Sequence, residues 1–216
     1  MRRIILSIDE PISKEKLVEM EDGLAAVKVG WPLILSIGVD GVNKLLTGLG
    51  LKKIFDLKLA DIDNTMNLIV EKLKPMADAF IAHSFIGVRG SLGSLNLQGR
   101  ELYLVLSMSH PGWNESFYPY LREVAMEVNP EGLVAPATRP SVIRKVREDF
   151  PTKVVISPGV GAQGAEPGDA ICSGADYEIM GRAIYLSERP VEKLREITKK
   201  MEDRLYECKR AKDRPR

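Results

Sequence analysis

The chain contains 216 residues, of which 44% are hydrophobic and 28% charged, and its formal net charge is +1. This length favours a single domain, and the apolar fraction excludes a mainly disordered chain. The near-neutral balance argues against binding nucleic acid through overall charge, although a small anionic substrate needs only local positive charge. The last eight residues hold five basic side chains and one acidic one, a net charge of +4 that leaves −3 for residues 1–208. We therefore predict one domain over residues 1–208 and a disordered basic tail over 209–216.

Eight short apolar runs recur along the chain, and each is followed by polar residues and then a helix-like segment. The runs cover residues 3–9, 25–30, 53–59, 79–85, 102–109, 132–137, 154–160 and 177–183. Most are almost continuously apolar, as expected of strands buried on both faces. Strands that alternate with helices indicate parallel βαβ units, so we predict an α/β fold, a single-domain (β/α)8 TIM barrel. A doubly wound open sheet is the alternative.

Three features of the sequence bear on the cellular compartment of the protein. The N-terminal run ends at a charge, Asp9, and indicates a strand rather than a signal segment. No stretch approaches the roughly 18 apolar residues of a membrane-spanning helix. Cys172 and Cys208 lie far apart in the sequence and indicate no disulfide framework. We expect a cytoplasmic protein that binds neither membranes nor nucleic acid.

Charged residues interrupt the first three apolar runs, although a buried strand normally excludes unpaired ions. Asp9 ends the first run, Lys28 lies in the second, and Asp56, Lys58 and Asp61 lie in or just after the third. Side chains two residues apart point the same way from a strand, and Asp61 follows closely enough to curl back. We therefore expect an ammonium flanked by two carboxylates at the carboxyl end of the barrel, where active sites lie.

This charge array is either a structural ion-pair network or a catalytic device. As a device, it holds Lys58 in its charged form, so that the ammonium can donate a proton. A substrate carboxylate about 4 Å from Asp56 would be repelled by roughly 4 kcal/mol at an effective dielectric of about 20. Losing CO2 would relieve that repulsion, which accelerates the reaction only if the relief occurs in the transition state.

A glycine-rich segment after the seventh run indicates an anion site. Residues 157–164 are Ser-Pro-Gly-Val-Gly-Ala-Gln-Gly, and Gly181 and Arg182 follow the eighth run. Glycine amides approach an oxyanion closely, arginine adds a two-pronged clamp, and barrels commonly bind phosphate in these two loops. A glycine-rich structural turn is the alternative. The segment also matches the dinucleotide-binding spacing, but only one strand-like run follows it, which argues against that use.

The remaining candidates have simpler interpretations. His83, in a predicted strand, is most simply a core residue, and His110 orders the loop that contains it. Two histidines and two isolated cysteines give no zinc spacing, and Mg²⁺ at the carboxylates is disfavoured but stays open. The aromatic stretch 113–120 is either a closing lid or a packed surface loop.

Four motifs together resemble the orotidine 5′-monophosphate decarboxylase family in its short archaeal form, over residues 3–204. They are Asp-Leu-Lys-Leu-Ala-Asp-Ile at 56–62, Met-Ser-His-Pro-Gly at 108–112, Ser-Pro-Gly-Val-Gly-Ala-Gln at 157–163 and Gly-Arg at 181–182. The resemblance implies a homodimeric (β/α)8 barrel, a carboxy-lyase that converts orotidine 5′-monophosphate to UMP and CO2 in pyrimidine biosynthesis. It also implies that no metal or other cofactor is used.

The resemblance also implies roles for individual residues. The catalytic set would be Lys58, which protonates C6 of the pyrimidine, Asp56 beside the departing carboxylate, and Asp61 and Lys28, which continue the array. Asp9 and Lys28 would contact the ribose, and Asp61 would reach the ribose in the partner subunit's site. The remaining substrate-binding residues would be Thr65, also in the partner's site, Ser109 at the pyrimidine edge, Gln163 between base and phosphate, and Pro158, Gly159, Val160, Gly161, Gly181 and Arg182 around the phosphate.

One position departs from the family pattern, because Asp63 stands where the family usually has proline. The change loosens one backbone angle and adds a charge beside Asp61, whose local geometry it puts in question. Two other functions remain as alternatives. Sugar-phosphate decarboxylases and hexulose-phosphate synthases share Asp-x-Lys-x-x-Asp but resemble Mg²⁺-dependent enzymes and typically lack the other motifs. A phosphoribosyl-binding sensor would have no need of the Lys58 array.

Overall fold

Eight parallel strands form a closed barrel in which each strand pairs with the next and β8 pairs with β1. The computed structural model describes residues 2–161 and 164–212. The strands are β1 (Ile4–Ile8), β2 (Ala26–Gly30), β3 (Lys52–Leu59), β4 (Ala79–His83), β5 (Glu101–Val105), β6 (Gly132–Val134), β7 (Val154–Pro158) and β8 (Tyr177–Met180). The predicted single-domain TIM barrel is confirmed. The alternative prediction of an open sheet is wrong, because β1 and β8 pair with each other.

Helices pack around the barrel. In the described ranges they are α1 (Lys14–Met20), α2 (Trp31–Leu46), α3 (Asp63–Leu73), α4 (Tyr118–Val128), α5 (Pro140–Asp149), α6 (Asp169–Cys172), α7 (Arg182–Tyr185) and α8 (Pro190–Lys212). Ser13 caps α1, as its position before the first turn predicts, by accepting the Lys16 N–H at 3.4 Å. Two 3₁₀ turns, Ser84–Ile86 and Leu92–Ser94, occupy the connection between β4 and β5. None of the described helices is both long and apolar enough to span a membrane.

Two apolar cores explain why the strands are apolar on both faces. A smaller core fills the barrel interior with side chains that include Ile5, Ile54 and Ile156. A larger core lies between the strands and the helices and contains their outward-facing neighbours. At the amino end of the barrel, Glu101 accepts hydrogen bonds from Lys52 at 2.5 Å and from the Tyr103 hydroxyl at 2.9 Å. The filled interior leaves the carboxyl ends of the strands as the place for a ligand.

The C-terminal helix passes the predicted domain boundary. Helix α8 continues to Lys212, so the first four residues of the predicted tail, 209–212, are helical. Residues 213–216 lie outside the described residues. The basic composition after residue 208 therefore does not mark the end of the helix.

A disulfide joins Cys172, the last residue of α6, to Cys208 in α8, with their Cα atoms 6.0 Å apart. The expectation of unpaired thiols is wrong. The two cysteines are 36 residues apart, so their spacing in the sequence does not predict the disulfide. They meet because α6 packs against α8. An ion pair between Asp169 and Arg204, at 2.8 Å, joins the same two helices.

Reducing this disulfide is expected to lower the melting temperature. In the chain-entropy model a cross-link over such a loop contributes about 4 kcal/mol, because it restricts the unfolded chain. For a protein of this size that corresponds to roughly 8–16 °C in thermal scans with and without reductant. The double variant Cys172→Ser/Cys208→Ser is the control, and its melting temperature should not respond to reductant. An unshifted melting temperature in the native chain, with both thiols titrated as reduced, would contradict the expectation.

Candidate active site

A cavity of about 280 Å³ opens at the carboxyl ends of the strands. Its lining brings together ten of the predicted site residues from distant parts of the sequence. They are Asp9, Lys28, Asp56, Lys58, Ser109, Pro158, Gly159, Val160, Gly181 and Arg182. Asp61, Thr65 and Gly161 do not line the cavity, and Gln163 lies outside the described residues. Three cationic side chains and glycine-rich backbone in one lining make this a site for a small molecule that carries anionic groups.

Asp56 lies between two ammonium groups at the bottom of the cavity. Its Oδ2 accepts a hydrogen bond from Lys28 at 2.8 Å, and its Oδ1 accepts one from Lys58 at 2.6 Å. The Asp56 and Lys28 side chains are each only 10% exposed, whereas Lys58 is 38% exposed and faces the cavity. This half of the predicted array is therefore present, with Lys58 as the member open to a ligand.

The charge state of Asp56 follows from its neighbours. Burial acts to raise the pKa of Asp56, but the adjacent Lys28 and Lys58 charges and their hydrogen bonds outweigh burial and lower it to about 2. The carboxylate is therefore ionised at neutral pH and presents a fixed negative charge to any ligand beside Lys58.

The backbone at Lys58 departs from a regular strand. Its φ is +49°, in the left-handed region, and the pairing of β3 with β4 shifts register between Asp56 and Leu59. The contact between Asp56 and Lys58 is therefore present as predicted, but it depends on a bulge as well as on strand alternation. A non-glycine residue in this region costs of order 1–3 kcal/mol, and such strain commonly accompanies functional positions.

Asp61 does not flank Lys58 within one chain. It lies after β3 at the surface, and its Oδ1 accepts the backbone N–H of Ile62 at 2.7 Å. In the part of the chain that the structure describes, Asp56 is the carboxylate within hydrogen-bonding distance of the Lys58 amine. The expectation that Asp61 curls back to complete the array from the same chain is wrong, because its carboxylate caps the next backbone amide instead.

The described part of the glycine-rich segment lines the same cavity as Arg182. Gly159 has a φ of +104°, and a bridge between Val160 and Ala165 ties the loop to itself. Gly181 passes close to β1, and a Cβ atom there would lie 2.6 Å from the Ser7 carbonyl oxygen. Arg182 is exposed at the cavity rim, and the described residues include no carboxylate in ion-pair contact with it. Its charge is therefore available to an anion, which favours an anion site over a purely structural turn.

A hydrogen-bonded network that sequence reasoning missed holds the loop after β5. Glu115 Oε1 accepts the Ser107 hydroxyl at 2.8 Å and Arg139 Nη1 at 2.9 Å. Arg139 Nη2 also donates to the His110 carbonyl oxygen at 3.0 Å. The network joins the loop that carries Ser109 to the start of α5. Glu115 and Arg139 have opposite charges but lie 24 residues apart, so no local sequence pattern reveals their contact.

Part of the aromatic stretch after His110 packs against the protein, whereas Phe117 (53%) and Tyr120 (50%) are exposed. It contains a 3₁₀ turn at Glu115–Phe117 and the first residues of α4, where Tyr118 is 2% exposed. The Trp113 ring meets the His110 and Phe117 rings edge-on, with centroids 6.2 and 5.9 Å away. These contacts favour the packed surface loop over a lid.

His83 is half-buried at the end of β4, so it is not the fully buried core residue that the sequence suggested. Burial, and secondarily the nearby Lys58 charge, lower the pKa of His83 below its usual value. Its ring lies 5.0 Å from that of Phe85, and the residue does not line the cavity. A neutral His83 adds no charge to the array. Within the described ranges, no three His, Cys, Asp or Glu side chains cluster in a way that would hold a metal ion.

Comparisons with known proteins agree with this geometry. The family model described as orotidine 5′-phosphate decarboxylase / HUMPS family matches residues 2–197. The orotidine 5′-phosphate decarboxylase of Sulfurisphaera tokodaii is 52% identical, over 97% of this chain and 100% of the relative, and that of Saccharolobus solfataricus is 47% identical, over 97% and 96%.

Solved structures are similar over nearly the whole chain. The crystal structure of the Metallosphaera sedula orotidine 5′-monophosphate decarboxylase has a TM-score of 0.91 and 60% identity, over 95% of this chain and 100% of that one. The Methanocaldococcus jannaschii enzyme, crystallised with the inhibitor BMP, has a TM-score of 0.82 and 32% identity, over 93% and 99%.

Proposed function

This chain belongs to the orotidine 5′-phosphate decarboxylase / HUMPS family, and we propose that its cavity decarboxylates orotidine 5′-monophosphate with Lys58 as the proton donor. It is a carboxy-lyase, as is the Sulfurisphaera tokodaii relative that is 52% identical over 97% of this chain. The product, UMP, places the reaction in pyrimidine biosynthesis. The observation that carries the mechanism is the ionised Asp56 held between Lys28 and the cavity-facing Lys58.

The proposed step needs no electron acceptor. The bond between C6 and the carboxylate carbon breaks, CO2 leaves, and the electron pair stays on C6. Lys58 Nζ then gives a proton to C6, and solvent returns a proton to the amine. The Lys58 ammonium also stabilises the negative charge as it develops on C6, so a metal or other cofactor is not required by this scheme.

Asp56 is proposed to act on the substrate carboxylate. With a pKa of about 2 it stays ionised, so a bound carboxylate beside it is repelled. At about 4 Å that repulsion amounts to roughly 4 kcal/mol at an effective dielectric of about 20. Neutral CO2 feels no such repulsion, and the part relieved in the transition state lowers the barrier. The rest of the substrate must supply the binding energy that holds the two carboxylates together.

That binding energy is proposed to come from the sugar, the base and the phosphate. Asp9 and Lys28 would contact the ribose, and Ser109 would contact the pyrimidine edge, since all three line the cavity. The role proposed for Gln163, between base and phosphate, rests on the family motif alone. Arg182, with the backbone of Gly181 and of the loop after β7, would hold the phosphate at the cavity rim.

Replacing Arg182 with alanine is expected to weaken substrate binding. A charge-assisted bidentate contact to phosphate contributes roughly 1.5–3 kcal/mol, so KM for orotidine 5′-monophosphate should rise at least about tenfold. Steady-state kinetics measure this directly. Arg144→Ala removes an arginine from the exposed face of α5 and is the matched control. An unchanged KM in Arg182→Ala would remove Arg182 from the phosphate site.

We also propose a cytoplasmic homodimer that shares its active sites. Asp61 and Thr65 do not line the cavity of their own chain, whereas the family motif gives them a role at a substrate. Large apolar side chains are exposed on the segments after β2, β3 and β4, including Leu35 (80%), Ile62 (60%) and Phe85 (53%). They follow β2, β3 and β4, which are neighbours in the barrel, so they occupy adjoining sectors. An exposed apolar surface of this kind suits contact with a second copy.

The two alternative functions are less well supported. The family model also covers HUMPS proteins, but the curated relatives that match this chain over 97% of its length carry the decarboxylase name. A sensor of phosphoribosyl compounds has no use for a strained lysine beside a buried carboxylate. The decarboxylase therefore accounts for more of the site.

The proposal is tested by following orotidine 5′-monophosphate absorbance with the purified chain in excess EDTA. We expect the absorbance to fall as UMP forms, at the same rate as without the chelator. No turnover, or turnover that appears only with added Mg²⁺, would contradict it.

A further inference from the structure

Glu178 is a buried glutamate on β8 that the proposed mechanism does not use. It is 0% exposed, and because its neighbour Ile179 packs inside the barrel, Glu178 points outward toward the helices. Its carboxylate accepts N–H bonds from Gly168 at 2.9 and 3.0 Å, from Ala170 at 3.0 Å and from Ile171 at 3.4 Å. Burial raises the pKa of Glu178, and the three backbone donors oppose that rise. Burying a carboxylate costs free energy unless it accepts hydrogen bonds, and a buried amide likewise needs an acceptor. Glu178 and these three amides therefore stabilise each other.

These donors lie where the loop after β7 returns to the barrel. The loop leaves β7 at Pro158, and the bridge between Val160 and Ala165 closes it. Gly168 follows Ala165 by only three residues, one of which is Pro167 with its restricted φ. The returning arm is therefore short, and the hydrogen bonds from Gly168 to Glu178 hold its end against β8.

The outgoing arm of the same loop also passes Glu178. Ser157, the residue before Pro158, is directly opposite Glu178 in the register of β7 and β8. Ser157 is 0% exposed, and its hydroxyl has no hydrogen-bond partner among the described residues. Arg182 lies four residues after Glu178, just past the end of β8. Glu178 thus lies next to the outgoing arm of the loop at Ser157 and contacts the returning arm at Gly168. It does so from β8, the strand that ends just before Arg182.

We propose that Glu178 is a positioning residue for the phosphate site, which clamps the loop after β7 to β8 and so sets its distance from Arg182. This inference rests on the proposed function, in which Arg182 and that loop hold the substrate phosphate. Glu178 itself touches no substrate. Hydrogen bonds to an ionised acceptor are about twice as strong as neutral ones. A glutamine has the same shape, but it lacks the charge and presents an NH2 group where one amide needs an acceptor.

The test compares the binding of UMP with that of uridine, which lacks the phosphate. Isothermal titration calorimetry measures both dissociation constants, and the Kd of uridine divided by the Kd of UMP reports the contribution of the phosphate. In Glu178→Gln we expect this ratio to fall roughly tenfold, as expected from losing charged hydrogen bonds, with uridine affinity unchanged. An unchanged ratio would overturn the positioning role. If Glu178→Gln does not fold, Glu178→Asp, which keeps the charge but withdraws it from the amides, is judged by the same ratio.

Asp176→Asn is the matched control. Asp176 precedes β8, accepts the Val155 N–H at 2.8 Å and pairs with Arg147 at 2.6 Å, at the opposite end of the strands. Losing this carboxylate should lower the melting temperature but leave the ratio unchanged. Equal falls in the ratio for Asp176→Asn and Glu178→Gln would overturn the proposal, because reduced stability alone would then explain both.

Arg182→Ala separates this inference from its premise. If Arg182→Ala lowers the ratio of the uridine Kd to the UMP Kd and Glu178→Gln does not, the phosphate site stands and the positioning role is wrong. If Arg182→Ala leaves the ratio unchanged, the phosphate binds elsewhere, and both the phosphate site and the inference fall.

Discussion

Replacing Lys58 with alanine is expected to lower kcat for orotidine 5′-monophosphate by at least about 10⁴-fold. The change removes a general acid, which typically contributes 10²- to 10⁴-fold, and a preorganised charge at the developing carbanion, which contributes a further ~10²- to 10³-fold. Binding of UMP should largely survive, because Arg182 and the glycine loop at the other end of the cavity are untouched. Single-turnover kinetics and calorimetric titration with UMP measure the two effects separately.

Lys53→Ala is the control for this variant. Lys53 lies on β3, five residues before Lys58, and its amine donates to the Leu49 carbonyl oxygen at 2.8 Å away from the cavity. Its removal should leave kcat unchanged. Turnover by Lys58→Ala within tenfold of the native rate would remove Lys58 as the proton donor, provided that the variant melts as a folded protein.

Mixing two inactive variants is expected to restore activity if the sites are shared. Asp61→Ala should be inactive because it removes a charge from the partner's site, and Lys58→Ala should be inactive because it removes the proton donor from its own. A heterodimer of the two contains one site with both residues intact. Random exchange makes half of the dimers heterodimers, so about one quarter of the native activity should return.

The matched control mixes Lys58→Ala with Asp56→Ala. These two residues touch each other in one chain at 2.6 Å, so no heterodimer contains a complete site and no activity should return. If the Asp61→Ala and Lys58→Ala mixture also stays inactive, although native mass spectrometry shows heterodimers, Asp61 does not act across the interface.

The barrel was predictable because each of its strands is buried on both faces. Parallel strands of this kind are nearly continuous apolar runs, and eight runs separated by helical segments leave few other folds. The polar residues that end those runs were predictable for the same reason, since a charge such as Lys28 in a buried strand requires a partner or a ligand. Strand ends converge in a barrel, so residues from all eight strands meet in one cavity without any sequence signal for their distances.

Long-range pairs and backbone irregularities were not predictable. Glu115 meets Arg139, and Cys172 meets Cys208, only in the folded structure. The sequence spacing of neither pair predicts the contact. The left-handed backbone at Lys58 was equally hidden, because lysine normally avoids that region and the bulge depends on the pairing with β4. The environment of Glu178 was hidden in the same way, because the amides that donate to its carboxylate begin at Gly168, ten residues earlier.

The most direct test of the mechanism is a crystal structure of the chain with bound UMP. We predict that C6 of the pyrimidine faces Lys58 Nζ at van der Waals or hydrogen-bonding distance, with Asp56 beyond the amine. The phosphate should contact Arg182, and Asp61 of the partner subunit should approach the ribose. A ring bound with C6 turned away from Lys58 would contradict the assignment of Lys58 as the proton donor.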